Sequence, residues 1–103
     1  MKISEAELEV LKIIWEKEET TSFDIISKLE SKNWNCNTIR TFIKRLLNKN
    51  AIAIIDKKGK TFIYKSNIDK EEYKFYKTKE LLDVLFNGNL EELIKNYNIF
   101  NQK

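Results

Sequence analysis

Leu8, Leu11, Ile14 and Trp15, with Val10 beside them, return every three to four residues near the start of the chain. That is the period of an amphipathic helix. Ser4 followed three residues later by Glu7 is a capping-box start, so a first helix is expected over about residues 5–18, its acidic face toward water. Thr21 and Asp24 repeat the cap signal. Phe23, Ile25, Ile26 and Leu29 then form the apolar side of a second helix, about 22–32. The link at Glu19–Thr20 is short and suited to a brief edge strand. A third helix, about 36–49, follows Asn35 as its N-cap. Ile39, Phe42, Ile43, Leu46 and Leu47 obey the i, i+3, i+4, i+7, i+8 rule and fall in one stripe. Asn37, Thr41, Lys44 and Asn48 lie opposite, with Thr38 and Arg45 on one flank and Arg40 on the other.

The period then changes to two. Ile52, Ile54 and Ile55 predict a strand over about 52–56, and Phe62 and Tyr64 alternate in another over about 61–65. DKKGK between them sets Gly59 in a hairpin turn. A basic hairpin after three helices is a wing. From Asp69, a cap candidate, the helical period resumes and runs to a stop signal at Gly88. Tyr73, Tyr76, Leu81, Val84 and Leu85 line one side of that helix. Leu90, Leu93, Ile94 and Tyr97 line a last short one. The expected class is mainly α (α+β): a winged helix-turn-helix domain at 1–66 and a C-terminal helical dimerisation segment at 67–103.

Charge sharpens this picture. Residues 1–31 carry four Lys and eight acids, residues 32–65 carry nine Lys/Arg against Asp56 alone, and residues 66–103 carry six Lys against seven acids. A net charge of +3 therefore hides a middle third at +8. No Asp or Glu occurs between Glu30 and Asp56. A solvated helix face usually mixes signs to gain i,i+4 pairs. A one-signed face is the footprint of a polyanion partner.

Duplex DNA fits. Its major groove admits a helix, and amide, hydroxyl and guanidinium groups read base edges there. Asn37, Thr38 and Thr41 are candidate base readers, and Arg45 can grip a guanine edge with two hydrogen bonds. Lys44, Lys49, Lys57, Lys58 and Lys60 are candidate phosphate contacts, which position without specifying. Arg40 contacts phosphate or pairs with an acid of the first two helices. Trp15 is expected in the core, and Trp34 is expected to staple the third helix against the second. Cys36, in the first turn of that helix, is a tolerated small residue or a thiol activated by the helix N-terminus.

Other classes find little support. The chain has 103 residues, no Pro, two Gly, no His and one Cys. An internal disulfide is impossible, a zinc site is unsupported, and no cofactor is expected. No apolar run reaches the ~18 residues of a membrane span. The N-terminus lacks a signal-peptide pattern, so a cytoplasmic protein is expected. Nothing resembles a catalytic base with a nucleophile partner or a phosphate loop, so an enzyme is not expected. The remaining alternative is a winged helix that docks a protein without specific DNA binding. The last third carries more apolar surface than a small winged helix can cover. It either folds back on the first helix or, the preferred reading, forms a homodimer through Tyr73, Tyr76, Leu81, Leu85, Leu90, Leu93, Ile94 and Tyr97.

NWNCNTIRTFIKRLLNKNAI resembles the W-S-P-K-T-I-R-T-L-x-x-R-L-x-K-K-G segment of the penicillinase and methicillin-resistance repressors (BlaI/MecI type). ISEAELEVLKIIW resembles that family's start, with Leu8 in place of a Trp. GKTFIYK is similar to its wing strand and LFNGNLEELIKNY to its dimerisation segment. The resemblance implies a homodimeric repressor on a pseudo-palindromic operator, of a β-lactam-resistance type of regulon. The matching residues Asn35, Asn37, Thr38, Thr41 and Arg45 are then expected at the DNA. It also implies inactivation through a sensor-linked protease pathway, at a bond matching Asn96–Tyr97. Cys36 replaces the family's helix-opening Pro, and Tyr97 replaces the Phe of the cleaved pair. The sequence ends at Lys103, before a further helix those members carry, which implies a smaller dimer or a different regulation. The Cys-x-Cys pair of the related copper-responsive repressors has no counterpart.

Overall fold

A computed structural model describes residues 2–102. The helical and alternating periods become α1 (Glu5–Lys17), β1 (Glu19–Thr21), α2 (Ser22–Leu29), α3 (Cys36–Asn48), β2 (Ile52–Lys58), β3 (Thr61–Ser66), α4 (Lys70–Leu85) and α5 (Leu90–Asn101). Residues up to Ile68 form one compact unit and residues from Asp69 a second.

Capping fixes where the helices begin. Ser4 N–H donates to Glu7 Oε1 (2.9 Å), and Ser4 Oγ accepts from Glu7 N–H (3.1 Å), completing the capping box of α1. Thr21 Oγ1 accepts from Asp24 N–H at 3.1 Å, and Asn35 Oδ1 accepts from Thr38 N–H at 2.9 Å. Asp69 does the same for α4 and Asn89 for α5. The second helix is shorter than its apolar pattern predicts. It ends at Leu29, continues as a 3-10 turn over Glu30–Lys32, and reverses at Asn33, whose φ is +59°. Asn tolerates that left-handed conformation better than most residues.

In the first unit, Val10, Leu11, Ile14, Ile25, Leu29, Ile39, Ile43, Leu46, Ala51, Ile52 and Tyr64 are buried. They come from all three helices, the sheet and, at Ala51, the link between α3 and β2, so truncating one of the large ones to Ala would cost about 2–5 kcal/mol. The sheet has the order β1-β3-β2 and is antiparallel throughout. β1 pairs Thr20 with Tyr64. β2 and β3 run from Ile52↔Ser66 to Lys58↔Thr61, with a bulge at Ile55 between Ile54 and Asp56. Gly59 and Lys60 alone bridge the strands, and Gly59 has φ +65°, where a two-residue type II′ loop requires glycine. Trp15 is half-buried. Its indole N–H donates to Ile68 O (2.8 Å) and Ser66 Oγ (3.0 Å), tying α1 to the exit of the sheet.

Two expectations change. Phe23 is 72% exposed rather than part of the core, because at about 100° per residue it points away from the buried Ile25 two positions on. Glu7 belongs to the acidic face by sequence but is only 2% exposed. Trp34, just before α3, is half-buried and packs edge-to-face on Phe42, centroids 5.2 Å apart.

The second unit is built differently. Tyr73, Leu82, Phe86 and Leu93 are half-buried, and neither α4 nor α5 has a buried residue. Among the described residues, no helix is long and apolar enough to cross a membrane.

Candidate nucleic-acid interface

α3 presents two chemically distinct faces. Ile39, Ile43 and Leu46 are buried and Phe42 and Leu47 half-buried, while Asn37, Arg40, Thr41, Lys44, Arg45 and Asn48 are exposed. Thr38 is half-buried on the flank. The candidate readers therefore share one solvent-facing surface. Their free hydrogen-bonding capacity differs, however. Asn35 spends its carbonyl oxygen on the helix cap, leaving its amide N–H groups to meet a ligand. Thr41 Oγ1 donates to Asn37 O at 2.9 Å, so toward a partner it offers lone pairs and a methyl group.

Among the described residues Arg40, Lys44 and Arg45 of α3, and Lys58 and Lys60 of the wing, form no ion pair or hydrogen bond through their side chains. Elsewhere in this unit some cations are paired with acids. Glu9 meets Lys12 (3.4 Å) and Lys32 (3.8 Å), and Glu16 meets Lys28 (3.5 Å). Such exposed pairs add little stability, but they compensate charge around α1 and α2 in a way that the exposed cations of α3 and the wing are not compensated. Lys57 lies over the Phe62 ring at 5.3 Å, its charge retained. The open alternative for Arg40 is resolved against an ion pair with α1 or α2. It lines a shallow groove with Ser22, Ile43, Lys44, Leu47, Phe62 and Tyr64, where helix and sheet meet. Burial raises the Tyr64 phenol above its ordinary pKa.

Lys49 departs from its expected role. Its ammonium donates to Glu7 Oε1 (2.6 Å), Glu7 Oε2 (2.8 Å) and Lys2 O (2.7 Å). It is a structural cation at the end of α3, not a free phosphate contact. Burial pushes the Glu7 carboxyl up, but hydrogen bonds from Lys49 and Ser4 and the charge of Lys49 outweigh it and hold the pKa below 4.5. Sequence reasoning missed this pair because the partners are 42 residues apart. The signal was a glutamate already singled out for capping, next to the apolar stripe of α1. Cys36 is exposed in the first turn of α3.

In the second unit, Tyr76, Leu81, Leu85, Leu90, Ile94 and Tyr97 are 46–65% exposed. Tyr73 and Leu93 are half-buried, and Lys77 approaches the Tyr73 ring at 6.0 Å. Asn96 and Tyr97 both lie within α5.

The family model described as penicillinase repressor matches residues 3–98. The penicillinase repressor of Bacillus licheniformis is 35% identical over 96 residues, covering 92% of this chain and 74% of that protein. The methicillin resistance regulatory protein MecI of Staphylococcus aureus is 35% identical over 98 residues, covering 92% and 77%. In three dimensions the chain is similar to the DNA-binding domain of the repressor BlaI, with a TM-score of 0.63 and 38% identity over 70% of this chain and 88% of that one. It is likewise similar to monomeric Bacillus licheniformis BlaI in complex with the blaP half-operator, at TM-score 0.60 and 38% identity over 71% of this chain and 89% of that one. A match spanning nearly the whole sequence, on a fold with the same DNA-binding domain, means that this chain belongs to the penicillinase repressor family of winged-helix repressors.

Proposed function

We propose that the protein acts as a homodimeric transcriptional repressor, reading a pseudo-palindromic DNA operator with α3 and holding the backbone with its wing. The observation that carries this reading is the one-signed exposed surface. Asn37, Thr41, Lys44 and Arg45 stand together on α3, Lys57, Lys58 and Lys60 on the wing, and the sequence from Ser31 to Ile55 contains no acid. Arg45 and the amide and hydroxyl groups of Asn35, Asn37, Thr38 and Thr41 are assigned to base edges. The lysines are assigned to phosphates. The half-operator bound by the similar BlaI supports a duplex DNA partner.

The homodimer rests on the second unit. A unit of roughly 35 residues with no buried side chain is below the size at which a chain folds stably without a partner or staple. Its exposed Tyr, Leu and Ile side chains are what a symmetry mate would cover. Inactivation by a sensor-linked protease at Asn96–Tyr97 is the finest part of the reading. That bond lies inside α5 and must leave the helix before a protease can take it as an extended strand. With no buried side chain on α5, local opening is easy.

Selection of the full chain against random duplexes at low salt tests the function. The expected product is two half-sites related by a dyad and spaced by about one helical turn, 10–10.5 bp, or a multiple. A pool that shows no enrichment would remove the repressor reading. Binding that is weak and indifferent to salt would favour the protein-docking alternative.

A further inference from the structure

The end of α3 is fastened at three successive residues. Asn50, at φ +61°, and Ala51 close the helix through Asn50 N–H to Leu47 O (3.0 Å) and Ala51 N–H to Leu46 O (2.9 Å). This is a Schellman closure, with Asn in the left-handed position. Asn67, just past β3, donates its backbone N–H to Ala51 O (2.8 Å) and its side-chain amide to Asn50 O (3.1 Å). Lys49, the residue between helix and closure, donates to both oxygens of Glu7 and to Lys2 O. Glu7 in turn is held by Ser4 N–H. The opposite end of α3 is capped by Asn35, and Trp34 packs on Phe42 there.

From this we infer that Glu7 and Lys49 are positioning residues for DNA reading: they set how far and at what angle α3 enters the groove, without touching DNA. The inference rests on the reading of α3 as the recognition helix. The chemistry is specific to an ion pair. Glu7 is only 2% exposed, and its carboxylate faces an ammonium that is 34% exposed. Glu7 and Lys2 hold the end of α3 through Lys49, and Asn67 holds it through Asn50 O and Ala51 O, so the helix end is anchored at two points, which limits tilt as well as translation. Apolar packing along Ile39, Ile43 and Leu46 resists separation of the helices but is less directional. Base readout depends on hydrogen-bond angles that weaken steeply when misaligned. Phosphate contacts by flexible lysines tolerate the same shift.

This division of roles gives a signature that loss of stability alone does not produce. Glu7→Gln removes a negative charge, so general attraction to DNA stays the same or rises. If the pair only stabilises the fold, the folded fraction of Glu7→Gln keeps the full preference for its selected duplex. If the pair positions α3, preference for the selected over a scrambled duplex falls by about tenfold, the worth of one good base contact, while scrambled-duplex affinity is held or increased. The test measures both duplexes by fluorescence anisotropy for full-length wild type, Glu7→Gln and the neutral double variant Glu7→Gln/Lys49→Met, with folded fraction taken from circular dichroism of the same samples. Loss of preference in either folded variant, with unchanged or stronger scrambled-duplex binding, supports the inference. Full preference in the folded variants overturns it, as does loss of binding that tracks unfolding in both. Wild type that binds no duplex selectively removes the reading of α3 itself, an outcome distinct from selective wild type with equally selective variants.

Discussion

Removing Lys58 and Lys60 from the wing tests how the charge on this surface is used. Neither side chain has an ion-pair or hydrogen-bond partner among the described residues, so Lys58→Ala/Lys60→Ala should leave folding intact. Lys44, Lys57, Lys58 and Lys60 are the lysines assigned to phosphate, four per protomer. Counterion release then gives log Kobs against log salt a slope of about −3.6 per half-site, or a ~150-fold loss of affinity between 50 and 200 mM salt. The double variant should show a slope of about −1.8 and only a ~10-fold loss over the same range. Fluorescence anisotropy on a labelled half-site duplex, titrated at four or five salt concentrations, reads both slopes. The variant should weaken selected and scrambled duplexes alike, since phosphate contacts carry no sequence information. A slope unchanged by the double substitution would take the wing off the DNA.

Three further outcomes follow from the same geometry. Because the folded-state pKa of Glu7 is lowered, its contribution to stability is present above pH 4.5 and lost as pH falls through the folded value. Thermal melts of wild type and Glu7→Gln should therefore differ most near neutrality, by about 1–3 kcal/mol for a charged hydrogen bond, and converge in acid; a gap that is constant down to pH 3 would contradict this. Asn35→Asp should keep the α3 cap and melt like wild type, yet bind DNA more weakly by placing a carboxylate against phosphate, whereas Asn35→Ala should cost about 0.5–2 kcal/mol of stability. Sedimentation equilibrium of the full chain at micromolar concentration should give the mass of a dimer, and Leu85→Glu/Leu90→Glu should shift it to monomer; a monomeric wild type would contradict the assignment of α4 and α5.

Much of this fold was legible because its signals are local. Ser4, Thr21, Asn35 and Asp69 each announce a helix start through one side chain and a backbone N–H three residues on, and each makes that bond. The switch from a 3.6 to a 2.0 period located the wing, and Gly59 marked its turn. The acid-free stretch from Ser31 to Ile55 marks the candidate face in the sequence itself. Non-local chemistry was not legible. The Glu7–Lys49 pair joins residues that no window contains, and only the packing of α1 against α3 reveals that Lys49 is already occupied. Phe23 shows the converse failure: a short helix admits an apolar residue at the right spacing and still turns it outward. The early end of α2 was hidden because a 3-10 turn continues the helical pattern in sequence while changing the hydrogen bonds.

One exposed face of α3 is assigned to reading bases. Arg45 is its sharpest test, since its guanidinium is exposed on that face and has no partner among the described residues. The deciding measurement is the binding of wild type and Arg45→Ala to the selected duplex and to single-base-pair variants of it. The expected result is that Arg45→Ala loses discrimination at one G·C position per half-site, by about 5- to 150-fold for a bidentate contact worth 1–3 kcal/mol, and remains selective elsewhere. Affinity and discrimination equal to wild type at every position would contradict the assignment of α3 as the reading helix.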